Sequence, residues 1–307
     1  MDEALTGTPS HDASAHQGQL AIVKPRVLGL LVFSGLTGFL LATTQEDATW
    51  EMLMWLMVGG ILATASANIF NNILDRERDS LMERTMWRPL PAGRVSPKQA
   101  GYVAVVLGLG GLAVMYLMLN PLTAALTLAG MLFYIIVYTH ILKPITTENI
   151  TIGGVAGAFP PLVGWTAVTG TVDLPPLHVG LLVILWTPPH FWSLALFHQE
   201  DYQRAGVPML PVVKGERTTH RRIVAYTVAL VLASFLFVYW EELFYGYYFG
   251  IIVLNTPMLA LALRLAWVGG VRNARMLFHY SNFYLMALLL LLILDTQGVF
   301  WERLPME

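Results

Sequence analysis

Long apolar runs alternate with short polar segments along almost the whole chain. The runs fall at Val27–Thr44, Leu53–Phe70, Ala100–Leu119, Leu122–Ile141, Ile150–Thr169, Val179–Phe197, Val224–Trp240, Tyr247–Leu263 and Leu277–Leu294. An α-helix needs about 20 apolar residues to cross a hydrocarbon core of about 30 Å, and each run is close to that length. The pattern predicts an all-α protein, a polytopic membrane helical bundle of about nine transmembrane helices. Residues 1–23 lie before the first run and are polar, with Asp2 and Glu3 at the start. A cleavable signal would need a basic start and a short apolar stretch, and mitochondrial transit peptides avoid acids. This segment is therefore read as a disordered cytosolic tail, and the membrane as a bacterial cell (inner) membrane.

Composition sharpens the picture. Only 12% of the 307 residues are charged, against about 25% in a soluble domain. There is no cysteine, so disulfides and thiolate metal sites are excluded. The net charge of -2 gives no reason to expect a nucleic-acid partner. The distribution of charge says more. With the N-terminus in the cytoplasm, every one of the 18 Lys and Arg residues except Arg303 lies in a cytosolic segment. Glu46, Asp47, Glu51, Asp173, Glu241 and Glu242 fall in the outer loops. Positive residues stay inside, so the N-terminus is expected to be cytoplasmic and the C-terminus outside.

Two cytosolic loops are long, about Asn71–Pro97 and about His198–Arg222, and loops at helix ends are where chemistry concentrates. In the first, Asn72, Asp75 and Asp79 follow one another at helical spacings of three and four, which puts them on one face. Carboxylates a turn apart beside an amide suit Mg²⁺, an ion that takes oxygen ligands and is commonly shared with substrate phosphates. Arg84, Arg88 and Arg94 follow, as an anion held next to the metal would require. The bland alternative is a solvated helix end laced with local ion pairs. The second loop repeats the arrangement. Glu200 and Asp201 end a membrane run, and Pro208–Met209–Leu210–Pro211 and Lys214 come after them, as Pro89–Leu90–Pro91 and Arg94 do in the first loop. The parallel hints at an internal repeat with a site between its halves.

Polar and helix-breaking residues also lie inside the runs. Pro160–Pro161 interrupts one, and Trp186–Thr187–Pro188–Pro189–His190 interrupts the next. Two broken helices in succession point to a cavity, because freed backbone groups must face protein or water. Gly153, Gly157 and Gly164 allow close helix approach. His190 is an intramembrane ionisable residue and hence a functional candidate. Its open roles are a haem-type ligand, a proton carrier, a buried hydrogen-bond donor or a satisfied core histidine.

The stretch Asn72–Asp75–Asp79 followed by MERTMWRPLPAGR resembles the first aspartate-rich motif of the UbiA superfamily of intramembrane prenyltransferases. The segments YTHILKPITTENITIGGVAGAFPPLVGW, WTPPHFWSLAL and DYQRAGVPMLPVVKG resemble, more narrowly, its haem O synthase branch. The likeness runs from about Lys24 to the last apolar run and implies a single intramembrane prenyltransferase domain over residues 24–307, built around a central cavity. It implies Mg²⁺-dependent transfer of a farnesyl group from farnesyl diphosphate to a vinyl group of haem b, with haem b as substrate and haem O as product. Carried over by position, Asn72, Asp75, Asp79 and Asp201 would bind metal and diphosphate. Arg88, Lys143 and Lys214 would be basic partners, with Tyr202 and His190 as further substrate contacts. Many superfamily members carry a second acid four residues after the position of Asp201, where this chain has Ala205, so a second metal has fewer ligands. Haem A synthase or terminal oxidase assembly would be the partner that takes the product. The rival readings are a polyprenyltransferase acting on an aromatic acceptor and, in a different class, an anion transporter.

Overall fold

The computed structural model describes residues 21–240 and 242–298. Among them there is no strand. The main helices are α1 (Pro25–Ala42), α2 (Trp50–Leu74), the short α3 (Arg76–Ser80), α4 (Pro97–Val114), α5 (Pro121–Leu132), α6 (Phe159–Thr169), α7 (Leu174–Phe197), the short α8 (Gln199–Arg204), α9 (Leu210–Ser234), α10 (Tyr245–Val268) and α11 (Val271–Thr296). With their 3-10 and π extensions, 7 helical segments among the described residues are long and apolar enough to cross a membrane. The chain is an integral membrane protein. Two expected spans fall short of that measure. The apolar part of α1, Val27–Ala42, is shorter, and α9 carries Lys214, Glu216, Arg217, Arg221 and Arg222 in its first half. The expected count of about nine crossings thus has seven clear members.

Polar side chains set the helix starts. The Thr49 hydroxyl accepts the Met52 N–H at 3.2 Å and opens α2. Asn120 accepts the Thr123 N–H at 2.8 Å and opens α5, which satisfies one of the amides a helix N-terminus leaves free. Asp295, near the end of α11, accepts the N–H groups of Phe244 at 2.6 Å and Tyr247 at 3.0 Å, so it caps α10 from a neighbouring helix. Packing depends on small residues where helices cross. A Cβ on Gly164 of α6 would sit 1.9 Å from the Gly35 carbonyl oxygen of α1, so only hydrogen fits. Without a hydrophobic drive between helices in lipid, such close approach is what holds them. The main core gathers α7, α9, α10 and α11 around Trp192, Tyr247, Tyr284 and Leu288.

Four expectations are corrected. The tail does not run unstructured to residue 23. Ala21–Val23 form a 3-10 turn whose Ile22 and Val23 carbonyls accept from Asn72 at 2.6 Å and Asn68 at 2.9 Å; the tail's earlier residues and Arg303 lie outside the described residues. The run containing Pro188–Pro189 is not broken, because α7 continues through both prolines. Proline removes the N–H that the carbonyl four residues earlier would take, here those of Ile184 and Leu185. The nearby hydroxyls of Thr187 and Ser193 donate to other carbonyls, Val183 at 2.7 Å and Pro189 at 2.5 Å. Helix α7 runs on with Trp186, Thr187, Pro188, Pro189 and His190 all buried, where surrounding protein tolerates such losses. The break near Pro160–Pro161 comes earlier, as a 3-10 stretch Gly154–Ala158 that hands over to α6. The second long loop is also mostly helix, since α8 fills Gln199–Arg204 and α9 begins at Leu210, kinked where Gly215 has φ 75°.

Candidate active site

Helix α2 ends in Asn68, Asn71, Asn72 and Asp75, all buried. Their side chains tie three segments together. Asn68 and Asn72 hold the 3-10 turn that precedes α1, and the Asn71 side-chain oxygen accepts from Lys24 Nζ, at the residue that starts α1. Asn71 Nδ2 donates to Thr139 Oγ1 at 2.9 Å, and Lys143 Nζ donates to Asp75 Oδ2 at 2.5 Å. These last two contacts form a register lock, with positions four apart on α2 meeting positions four apart on the facing segment. That segment, Phe133–Leu142, is a π-helix, a form that recurs at functional sites. Its wider turn lets Thr139 donate to the Tyr134 carbonyl at 2.8 Å, five residues back.

Asp75 is 1% exposed and faces three cations. Burial pushes its carboxyl up, but Lys143, Lys24 and Arg78 together hold it below the usual carboxylate range. Burial pulls Lys24 down to about 7, with Arg88 adding to the effect. Asp79 is 3% exposed and bonded through Oδ2 to Arg88 at 2.6 Å. Buried polar atoms normally find partners, so those without a hydrogen bond need an explanation. Three lie in this region: Asn72 Oδ1, Asp75 Oδ1 and Arg84 Nε. The nearest cation to Asp75 Oδ1 is Arg78 at 3.6 Å, too far for a hydrogen bond. The two residues are three positions apart, about one helical turn along the chain.

The second loop reaches the first. Asp201 Oδ1 accepts the Glu83 N–H at 3.1 Å and Arg204 at 2.5 Å, and Arg204 also pairs with Glu83 at 2.9 Å. Burial raises the Asp201 carboxyl, but the Arg204 hydrogen bond and the N–H groups of Glu83 and Arg84 outweigh it and hold it low. The carboxylate is therefore engaged in clasping two loops. No group of three or more His, Asp or Glu poised for a metal exists among the described residues, so Asn72, Asp75, Asp79 and Asp201 do not form a ready cage. A magnesium ion shared with substrate phosphates needs only one or two carboxylates from the protein. The free oxygens of Asn72 and Asp75 fit that ion.

The remaining expected residues are dispersed. Arg88 and Lys143 belong to the carboxylate cluster. Tyr202 is buried in the main apolar core. Lys214 is exposed beside the Gly215 kink and contacts none of the others. His190 makes no contact with the carboxylates; it is 8% exposed inside α7 and bonded to Ser281 at 2.8 Å. Sequence reasoning missed Lys24, Asn71 and Thr139 as site residues. Asn71 stands in plain view between Asn68 and Asn72, but its partners are 47 and 68 residues away.

A bundle of membrane helices with carboxylates, amides and cations gathered at one mouth defines a class. Residues 31–285 match the model of the UbiA prenyltransferase family, and the chain belongs to that family. Among its relatives, the protein named protoheme IX farnesyltransferase from Alkalilimnicola ehrlichii is 43% identical over 297 residues, covering 96% of this chain and 97% of that protein. The fold also resembles that of digeranylgeranylglyceryl phosphate synthase, with a TM-score of 0.75 at 18% identity, over 92% of this chain and 99% of that one. A UbiA homolog from Archaeoglobus fulgidus bound to DMAPP and Mg²⁺ gives a TM-score of 0.60 at 14% identity, over 90% of this chain and 99% of its own.

Proposed function

We propose that this protein transfers a farnesyl group from farnesyl diphosphate to a vinyl group of haem b, with addition of water, to give haem O. The observation that carries the reading is the pair of buried oxygens without hydrogen bonds, Asn72 Oδ1 and Asp75 Oδ1, with Lys143, Lys24 and Arg78 acting on Asp75 and Arg88 on Asp79. Relatives about as long as this chain and named protoheme IX farnesyltransferase supply the acceptor. Asn72 and Asp75 would hold Mg²⁺, with Asp79 steering Arg88. The ion, when bound, neutralises the diphosphate and makes it a better leaving group.

The rest of the work falls to the chain itself. Lys24, Lys143 and Arg88 lie where negative charge grows as the carbon–oxygen bond of the prenyl diphosphate breaks, and fixed cations there lower the barrier most. Bond breaking leaves an allylic cation. In this reading the apolar interior of the bundle keeps water from it until the vinyl carbon attacks. The electron pair of the vinyl double bond forms the new carbon–carbon bond, and water captures the cation left beside the porphyrin, releasing a proton. The Asp201–Arg204–Glu83 clasp holds the two loops over the mouth. In this reading the N-terminus faces the cytoplasm of a bacterial inner membrane, and the product passes to haem A synthase or terminal oxidase assembly.

The test supplies membranes containing the protein with farnesyl diphosphate, Mg²⁺ and either haem b or an aromatic acid. Extracted haem heavier by a farnesyl group plus water, with the aromatic acid untouched, is the expected result. A prenylated aromatic acid with unchanged haem would contradict it.

A further inference from the structure

His190 is buried in α7 among rings. It stacks on Trp186, with centroids 4.3 Å apart and planes 18° from parallel, and on Phe278 of α11 at 4.7 Å and 25°. Phe191 meets it edge-on at 5.2 Å. Its Nδ1 lies 2.8 Å from Ser281 Oγ. That oxygen also lies 2.8 Å from the Phe278 carbonyl. The Phe278 carbonyl also accepts Asn282 Nδ2 at 2.9 Å, so the single hydroxyl hydrogen of Ser281 has two acceptors within reach. With that hydrogen on the carbonyl, Nδ1 carries the hydrogen of the contact with His190. A neutral imidazole protonated at Nδ1 has its lone pair on Nε2. Among the described residues Nε2 has no partner. Trp186 Nε1 donates to the Ser281 carbonyl at 2.7 Å, so the serine is itself held in place.

A histidine that donates one ring N–H to an oxygen and presents the other nitrogen free has the arrangement of a metal-ligating imidazole. The rings stacked on its faces fix the imidazole plane and leave Nε2 at its edge. We propose that His190 Nε2 binds the iron of the acceptor haem, and that Ser281 is a positioning residue that fixes the tautomer. The inference rests on the haem reading above and adds the atom that orients the acceptor. The bond is a dative one from Nε2 to iron; no electron or proton is transferred.

The experiment titrates the purified protein with ferric haem b and, separately, with metal-free protoporphyrin IX. The wild type shows the absorbance signature of imidazole-ligated iron and binds haem b more tightly than the metal-free ring. His190→Gly loses both the signature and the preference, and added imidazole restores the signature. Ser281→Ala weakens haem binding by about tenfold, whereas Ser281→Thr, which keeps the hydroxyl, preserves it. A signature unchanged in His190→Gly, or equal wild-type affinity for the two rings, overturns the proposal. Farnesylated haem made by the wild type alongside either result leaves the catalytic reading standing. Failure of the wild type to farnesylate haem at all counts against that reading instead.

Discussion

The two acidic loops look alike in sequence and differ in what they leave free. Asp75 follows α2 with Oδ2 on Lys143 and Oδ1 without a hydrogen bond, and Asn72, three residues earlier, also keeps Oδ1 without one. Asp201 follows α7 with Oδ1 taken by Arg204 and the Glu83 amide and Oδ2 facing His198 at 3.7 Å. A carboxylate surrounded by donors is satisfied and acts as structure. A buried oxygen left unsatisfied costs free energy, and two of them within one helical turn of the sequence mark the first loop as the place for a ligand. Counting carboxylates at a membrane mouth therefore finds the mouth, while their hydrogen bonds separate ligand from clasp.

The largest effect is expected at the first loop. Asp75→Asn lowers turnover by about two orders of magnitude or more, about 2.7 kcal/mol at 1.36 kcal/mol per tenfold, read as farnesylated haem formed per minute. Near-normal turnover in that variant would remove Asp75 from the mechanism and erase the contrast.

Next comes Lys24. Its pKa of about 7 lies below the ordinary lysine range because it is buried, so its charge is lost as pH rises through that value. A bound diphosphate favours the charged form, so binding takes up a proton above about 7. Affinity for the prenyl diphosphate falls with rising pH by up to about tenfold per unit in that window. The same linkage makes folding stability rise with pH there, since the unfolded lysine still holds its proton. Calorimetry in two buffers of different ionisation enthalpy measures the uptake, and Lys24→Met abolishes it. Uptake that survives the substitution assigns it elsewhere.

Asp201→Asn is expected to act more mildly. Turnover drops by about tenfold, on the order of 1.4 kcal/mol, and the segment between α3 and α4 becomes a target for limited proteolysis. A hundredfold loss with an intact protease pattern would make Asp201 a ligand like Asp75. Glu83→Gln touches only the exposed pair with Arg204, in which the Glu83 side chain is 76% exposed, and exposed ion pairs contribute little, so thermal unfolding is expected to stay close to that of the wild type. A clear drop in the unfolding temperature would show the clasp to be stronger than its exposure implies.

Much of the fold and part of the site are legible in the amino-acid sequence. Apolar runs locate the helices because lipid imposes their length, and the three-and-four spacing puts Asn72, Asp75 and Asp79 on one face because α-helical geometry is local. Contacts that depend on two distant segments are not legible. Lys24 reads as a topology marker until its ammonium is seen on Asn71, and Thr139 reads as apolar-run filler until the π-helix turns it toward α2. Ser281 is 91 residues from His190, and no spacing rule links them. The prolines of α7 mislead in an instructive way, since the helix runs through both where they are buried among its neighbours. Asp201 is identifiable as important but not as a clasp, because the Glu83 amide that engages it is backbone and carries no side-chain signal.

The division between the loops is tested most directly by manganese binding, with Mn²⁺ in place of Mg²⁺ and a non-hydrolysable farnesyl diphosphate analogue present, followed by electron paramagnetic resonance. The account predicts that the wild type and Asp201→Asn bind the ion alike, while Asp75→Asn loses it. Retained binding in Asp75→Asn together with loss in Asp201→Asn would contradict it.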